Sequence, residues 1–484
     1  MNAPNFLFIM SDQHQQKATG CYGHPFVKTP NIDRLSVSGT RFATAYTNSA
    51  ICVPARAVLA TGRYVHEIGY WDNAHAYEGR IPSWHHRLIE HGLGATSIGK
   101  LHFRGRDEPT GFVEQINPMH IVDGIGDLRA CVKRPMAPPF KSSKTASEIG
   151  PGESSYTKYD RDITGLTCDW LRAKGRPANG KPWVLFTSLV CPHPPHIAPP
   201  EFYEMYPTAS LPVPKLSKPD APTHPWIQLQ ERNRNHNDFL TDATRRELMA
   251  AYYGCISYLD SNVGEVLDCL NDCGLTENTI VVYTTDHGEN LGTRRLWGKS
   301  NMYEEACAIP MMIAGPGIPA DSVSRTPVTL ADIAPTVLDA VGLEAVADAE
   351  GFPGRSLIHL ANTADDPDRI AFSEYYAAAA DRAAFMIRKG RYKYIHYVGY
   401  EAELFDLDAD PEELNSLAGD PAHASIVAEY EADLRSIVDP EAMDERAYRA
   451  QTALVERHGG REGIIERGAF SSTPPPGHAP EYMT

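Results

Sequence analysis

Four short stretches of the 484-residue sequence carry side chains suited to chemistry on an anion. Asp12 and Gln13 close the apolar run NFLFIMSDQ. Cys52 and Arg56 stand in CVPAR, which continues to TGR at Thr61 to Arg63. Lys100 and His102 stand in GKLHF. Asp286 and His287 stand in TTDHGENLG, and Lys299 follows in WGKSNMYEE. Each stretch is weak alone. A DHG is a common turn, a Lys-x-His pair is common on a solvated strand edge, and a single cysteine is most often an inert core thiol. Together they read as one site. Asp12, Gln13, Asp286 and His287 offer hard oxygen donors and an imidazole, a set suited to one divalent cation, Ca²⁺, Mn²⁺ or Mg²⁺. Cys52 is the odd ligand of that shell, and it makes sense there only if oxygen replaces its sulfur.

Groups so far apart in sequence need a scaffold that gathers them. NFLFIM (5–10), ATSIGK (95–100), WVLFTSLV (183–190), TIVVYTTD (279–286) and IPMMIAG (309–315) read as buried strands. Helix-like segments alternate with them, notably NIDRLSVSG, the run after Cys52 and the long stretch from TRRELMAAYY to CLNDCGL. This alternation predicts an α/β fold, a large and mainly parallel sheet between helices. In such sheets ligands sit at the carboxyl ends of the strands. NFLFIM and TIVVYTTD both run into an acid there. Residues 104–157 and 200–240 are rich in Pro, Gly and charge and read as long excursions over that edge. The predicted organisation is a catalytic domain over 1–365, a small α+β subdomain with an antiparallel sheet over 366–438, and a tail over 439–484. The tail composition suits either disorder or docking on a neighbouring subunit.

The formal charge of −17, from 45 basic and 62 acidic residues, argues against nucleic acid and anionic membranes as partners. An anionic substrate would need basic residues gathered locally. The nine cysteines include no CxxC and form no disulfide or zinc pattern. No stretch is long and apolar enough for a membrane span. The first apolar run is short, lacks a basic leader and ends in an acid, unlike a signal peptide. A cytoplasmic protein with reduced thiols is the expectation.

CVPAR resembles the sulfatase signature C-x-P-x-R, whose cysteine is oxidised after synthesis to formylglycine (3-oxoalanine) by a formylglycine-generating enzyme. KTPNIDRLSVSGTRFATAYT, TGR, GKLHF, CPHPPH and TDHGENLG follow the order of that family, the sulfatase branch of the alkaline phosphatase superfamily. The resemblance spans roughly residues 3–430. Asp12–Gln13, where many sulfatases have two aspartates, and YWDNAHAY at 70–77 are similar to choline-sulfatase-like enzymes and to related arylsulfatases and phosphonate monoester hydrolases. Ala55 departs from the serine common at its place.

The resemblance implies an alkaline-phosphatase-like fold and hydrolysis of a small anionic ester. The hydrated aldehyde of residue 52 would be the nucleophile, activated by the metal held by Asp12, Gln13, residue 52, Asp286 and His287. The start of a helix at Cys52 favours negative charge, and Arg56 one turn on would stabilise the diol or the anion. Lys100 and Lys299 would clamp the transferred group. His102 would be the base that collapses the hemiacetal. His193, or else His196, would be the acid on the leaving-group side. Asn73 is either a ligand for an anion oxygen or a turn residue. The family often has Asn near His287, so that imidazole is either a ligand or a neighbour of one.

The leading expectation is an arylsulfatase-like sulfate ester hydrolase, promiscuous toward phosphonate monoesters and phosphodiesters, which present the same single charge. The alternatives are a phosphonate monoester or phosphodiester hydrolase, a choline sulfatase, or a non-enzymatic anion-binding protein with unmodified Cys52. Choline needs an aromatic cage with a carboxylate. Trp71, Tyr77, Phe103, Tyr375, Tyr376 and Tyr482 are the available aromatics, but few lie in 104–157. Family likeness and the tail together suggest a homodimer or homotetramer.

Overall fold

The computed structural model describes residues 3–139, 143–176, 180–470 and 472–483. Its centre is an eight-stranded sheet of β1 (Asn5–Asp12), β2 (Gly39–Phe42), β3 (Ala95–Lys100), β4 (Glu114–Met119), β5 (Val184–Pro192), β6 (Thr279–Thr285), β7 (Met311–Ala314) and β8 (Ser322–Ser324). The order is β8-β2-β7-β6-β1-β5-β3-β4. Only β7 runs antiparallel to its neighbours, so the sheet is mixed and mainly parallel. β1 lies at the middle, between β5 and β6, and all eight of its residues are buried. Its side chains alternate between faces, as strand geometry requires. Phe6, Phe8 and Met10 join one core with the helix that starts at Cys52. Leu7 and Ile9 join the other, with the long helices on the opposite face. A central strand covered on both faces reads as a continuous apolar run, which is why NFLFIM is legible.

Four strands form a second, antiparallel sheet in sequential order: β9 (Ala371–Tyr375), β10 (Ala384–Lys389), β11 (Tyr392–Tyr397) and β12 (Glu403–Asp406). The first three match IAFSEYY, AAFMIRKG and RYKYIHYV. The fourth, ELFD, departs from the turn reading of that stretch. It is short, but its backbone pairs with β11 and its residues 404–406 are buried.

The principal helices are α1 (Pro30–Val37), α2 (Cys52–Thr61), α3 (Ser155–Lys174), α4 (Asp242–Asp272), α5 (Ala424–Ile437) and α6 (Pro440–Arg457). α3 and α4 cover one face of the large sheet and α2 the other. All ten residues of α2 are buried. It ends at Gly62, whose φ of 66° no β-carbon-bearing residue would adopt comfortably. An added Cβ there would also meet Ala334 and Phe352 at 2.7 Å.

The tail departs from disorder. α6 buries Ala447, Gln451 and Val455 against its own chain. Gln451 donates to Asp72 Oδ2 and to Tyr376 O, both at 2.9 Å. A further helix, Gly460–Arg467, packs Ile464 with Leu128, Cys131 and Val132. Charge-rich composition concealed this because the apolar positions are few, though regularly spaced. No disulfide joins any of the nine cysteines, all of which lie among the described residues.

Asp160 of α3 ties this face to the sheet. Fully buried, it accepts the backbone N–H groups of Val190 at 2.7 Å and Cys191 at 2.8 Å. Burial raises its pKa to about 6, against the pull of those two bonds. The folded chain therefore holds this proton more tightly than the unfolded chain. The stability contributed by the neutral form is present below about pH 4 and lost as pH rises to about 6. In Asp160→Asn this titration is gone. Urea unfolding at about pH 4 and about pH 7 should show the wild type losing roughly 3 kcal/mol relative to the variant over that interval. Parallel pH profiles would contradict it.

Candidate active site

The parallel strands deliver their carboxyl ends to one edge of the sheet. Asp12 ends β1, Lys100 ends β3, Ser188 lies on β5, and Asp286 follows β6. α2 begins above that edge. Its first residue is Cys52, so the sulfur sits where the unpaired N–H groups of a helix favour negative charge. The Cys52 Sγ lies 3.1 Å from His287 Nε2 and 3.7 Å from Asp12 Oδ1. Donor atoms of Asp12, Cys52, Asp286 and His287 all fall within 4.8 Å of one another, and all four residues are buried.

Beneath this cluster lies a dense set of charges. Arg56 Nη2 is 3.1 Å from Asp12 Oδ2, and Arg56 Nε is 2.9 Å from Asp286 Oδ2. Its Nη1 donates to Lys100 O at 2.8 Å and to Ser188 Oγ at 3.0 Å. Lys100 Nζ stands 2.7 Å from Asp12 Oδ2. Arg56 thus shares a helix face with Cys52, as its spacing predicts, but it faces the carboxylates. Burial works against ionisation of Asp12, yet Lys100, His193, Arg56 and His287 together hold its carboxyl well below the usual range. Burial, then the nearby Asp12 charge, pushes Asp286 up to about 6. Two converging carboxylates, an imidazole and the residue-52 position form a donor set that a hard dication fits.

Above the cluster a cavity of about 230 Å³ opens, and Cys52, Gln13, Asn73, His102, His193 and Lys299 line it. Asn73 Oδ1 accepts from the backbone N–H of Val53 at 3.2 Å, which fixes its amide beside the helix start. Both ring nitrogens of His102 are buried without a hydrogen-bond partner among the described residues. Burial, then Lys100 and Arg56, holds this imidazole neutral, well below its ordinary pKa. Burial, then Lys299 and Lys100, does the same for His193. The Nδ1 of His193 lies 2.8 Å from Pro194 O, which selects the tautomer with the proton on Nδ1. Burial also lowers the pKa of His287.

Gln13 departs from the simple ligand reading. Its Oε1 accepts from Lys299 Nζ at 2.5 Å, its Nε2 donates to Glu289, and its backbone N–H reaches Asp286 Oδ1 at 3.2 Å. Glu289 also accepts from Gly298 N at 2.6 Å and Leu291 N at 2.9 Å, so one buried acid holds both Gln13 and the loop of Lys299. Glu289, in TDHGENLG, reads in the sequence as a loop residue or a neighbour of the ligands rather than a ligand, and it is such a neighbour. Ser188 carries no motif, and the only hint is a polar group in an otherwise apolar run. His196 also lines the cavity.

The aromatics that the sequence makes available for a choline cage lie elsewhere. Trp71, Tyr77, Phe103, Tyr375 and Tyr376 are all buried in core packing and none lines the cavity; Tyr482 is exposed. Among the lining residues Trp297 and Phe470 are the aromatics. Trp71, Tyr77, Phe103 and Tyr376 fill one core cluster and Tyr375 another.

Comparison with known proteins agrees with this geometry. Residues 4–343 match the family model described as sulfatase, and residues 292–439 match that of N-sulphoglucosamine sulphohydrolase, C-terminal. The chain is 32% identical over 426 residues to choline-sulfatase of Rhizobium meliloti (strain 1021), covering 86% of this chain and 83% of the relative. It is 28% identical over 479 residues to arylsulfatase K of Danio rerio, covering 92% and 86%. The phosphonate monoester hydrolase of Agrobacterium radiobacter shares the fold, with a TM-score of 0.69 at 21% identity over 90% of this chain and 95% of that one. With an eight-stranded mixed sheet, a C-terminal antiparallel sheet and this match over most of its length, the chain belongs to the sulfatase family, whose members hydrolyse sulfate esters.

Proposed function

We propose that this protein is an arylsulfatase-type hydrolase whose nucleophile derives from Cys52, with phosphonate monoesters as secondary substrates. The observation that carries the reading is the position of Cys52. Its sulfur caps the dication-fitting cluster from the start of α2 and opens into a cavity bounded by two neutral histidines and a lysine. An unmodified thiol is a poor ligand for a hard dication, whereas an oxygen at this position completes the donor set. Asp12, Asp286, His287 and residue 52 would hold the cation. The aldehyde hydrate and the cation would together supply an oxygen nucleophile at neutral pH. Gln13 would join that shell by giving up Lys299, which then turns its ammonium to the ester.

The chain's own groups do the rest. Arg56 and Lys100 fix the Asp12 carboxylate, and Lys100 adds positive charge beneath the transferred group. Lys299 and the Asn73 amide stabilise the equatorial oxygens. His102, neutral and without a partner, accepts the proton released from residue 52. His193 has its proton on Nδ1, so Nε2 is free to take a proton when the ester's negative charge arrives and raises its pKa. It then passes that proton to the departing alcohol oxygen. Sulfate monoesters and phosphonate monoesters both bring one negative charge, so one set of cations serves both.

Four outcomes test this. The tryptic peptide from Phe42 to Arg56, from protein made with a formylglycine-generating enzyme, should have lost sulfur and gained oxygen. Cys52→Ala should then lower kcat/KM for aryl sulfates on the order of 10⁴-fold. An intact thiol in a fully active protein would sink the proposal. His193→Ala should cost about 10²–10⁴-fold with alkyl sulfates but far less with 4-nitrophenyl sulfate, whose leaving group needs no proton. An equal loss on both would remove His193 from the acid role. Chelation of divalent metal should abolish turnover and lower the melting temperature, because a cation held only by the folded site stabilises the fold by mass action. An unchanged melting temperature would argue against the cation site.

A further inference from the structure

A second cluster of ligating side chains stands beside Asn73, outside the catalytic cluster. Asp72 and His75 flank Asn73 in one loop, and Cys131 ends the short turn Leu128–Cys131. Asp72 Oδ1 lies 3.0 Å from His75 Nδ1, and Asp72 Oδ2 lies 3.4 Å from Cys131 Sγ. One donor atom from each residue falls within 4.8 Å of the other two. Asp72 and Cys131 are buried, and the His75 side chain is 19% exposed, which leaves an ion a path from solvent. Among the described residues only this cluster and the catalytic one bring three or more such ligands together. Motif spacing conceals it, because Cys131 arrives 59 residues after Asp72.

Tetrahedral ligands at ordinary zinc radii stand roughly 3.3–3.7 Å apart, so the two measured pairs need spread by only about 0.3 Å to admit an ion. A carboxylate, an imidazole and a thiolate together suit a borderline-soft dication, unlike the hard donor set of the catalytic cluster. The neighbours are of the kind that steady such ligands. Gln451 Nε2 donates to Asp72 Oδ2 at 2.9 Å, the Ala74 N–H donates to Asp72 Oδ1 at 2.9 Å, and the Ala450 carbonyl accepts from the His75 ring. Charge balances as well. Burial opposes a proton on His75, but Asp72 outweighs it and raises that pKa. Burial, then Asp72, pushes the Cys131 thiol well up. The cluster thus holds two exchangeable protons, one on the imidazole and one on the thiol. An entering dication bonds to Nδ1, Sγ and a carboxylate oxygen and releases both protons to solvent, so the net charge is unchanged. Lys133, which burial holds down to about 8, therefore meets the same net charge before and after.

We propose that Asp72, His75 and Cys131 form a second metal site, structural in kind, that takes one zinc-type dication. Water on the exposed side of the His75 ring would complete the shell. The ion would join the loop that carries Asn73 to the turn at Cys131, on which the C-terminal helix Gly460–Arg467 packs through Ile464. It takes no part in the reaction at residue 52, and the proposal stands apart from the sulfatase reading.

Cobalt(II) is the probe, because a cysteine thiolate on cobalt gives a charge-transfer band in the near ultraviolet. The test uses the full chain as Cys52→Ala, which removes the sulfur of the catalytic cluster, after treatment with a chelator. Titrated with Co²⁺, this protein should develop the charge-transfer band, and Zn²⁺ should bleach it by displacement. Cys131→Ser in the same background should lose the band. His75→Ala should weaken cobalt binding by about tenfold or more. Circular dichroism and the melting temperature establish that each variant folds. No charge-transfer band at saturating Co²⁺ in the Cys52→Ala protein overturns the proposal, whether or not the further variants fold. A band that survives Cys131→Ser, or cobalt affinity unchanged in His75→Ala, overturns it as well. None of these readouts uses turnover, so a failure of the sulfatase reading and a failure of this site are told apart.

Discussion

One guanidinium holds the working edge of this protein together. Arg56 reaches Asp12 at the end of β1, Asp286 after β6, the Lys100 carbonyl at the end of β3 and the Ser188 hydroxyl on β5. Four neighbouring strand ends and the helix α2 therefore meet on one side chain that is 2% exposed. Burying such a charge costs several kcal/mol unless partners compensate it, and here two carboxylates do. Removing the guanidinium would leave those carboxylates together in the interior without their counter-charge. The ridge of charge beneath the cavity is balanced, with Arg56 and Lys100 against Asp12 and Asp286. A bound cation would tip that balance toward positive, the sign an anionic ester requires.

The next layer is electrostatic and sits above the first. Burial keeps both imidazoles neutral, aided by Lys100 and Arg56 at His102 and by Lys299 and Lys100 at His193. Neutral imidazoles are proton acceptors, and an arriving anion raises their affinity for a proton. The site is therefore poised to gain protons when substrate binds. Glu289 links this layer to the scaffold, since it fixes Gln13 and the Gly298 backbone that carries Lys299. The same acid would set how far Lys299 moves between Gln13 and a substrate.

The C-terminal part completes the cavity rather than the chemistry. The antiparallel sheet supplies Ala378–Ala380 just after β9, and the tail supplies Phe470 and Thr473. Tyr156 of α3 donates to Thr473 O at 2.5 Å, which seats the tail against the catalytic half. Gln451 of α6 donates to Asp72, immediately before Asn73, so the tail also braces the segment that presents the Asn73 amide.

Much of this was legible in the sequence. A buried parallel strand must be apolar throughout, so NFLFIM and TIVVYTTD announce themselves, and the acids that end them fall on one edge because parallel strands point the same way. CVPAR marks Cys52 at a helix start, and the i, i+4 spacing puts Arg56 on the same face. Local rules stop there. Spacing does not say that Arg56 turns to Asp12 and Asp286, because those carboxylates arrive from strands 44 and 230 residues away. Nor does it say that the Gln13 amide is shared by Lys299 and Glu289, or that the tail folds back as α6. The aromatics that composition offered for a cage went into the core, where their area is worth most. Strand periodicity and helix spacing act over a few residues, so the sequence by itself determined the sheet, its acidic edge and the residue at the start of α2. Long-range packing alone decided which charges meet and which residues line the cavity above them.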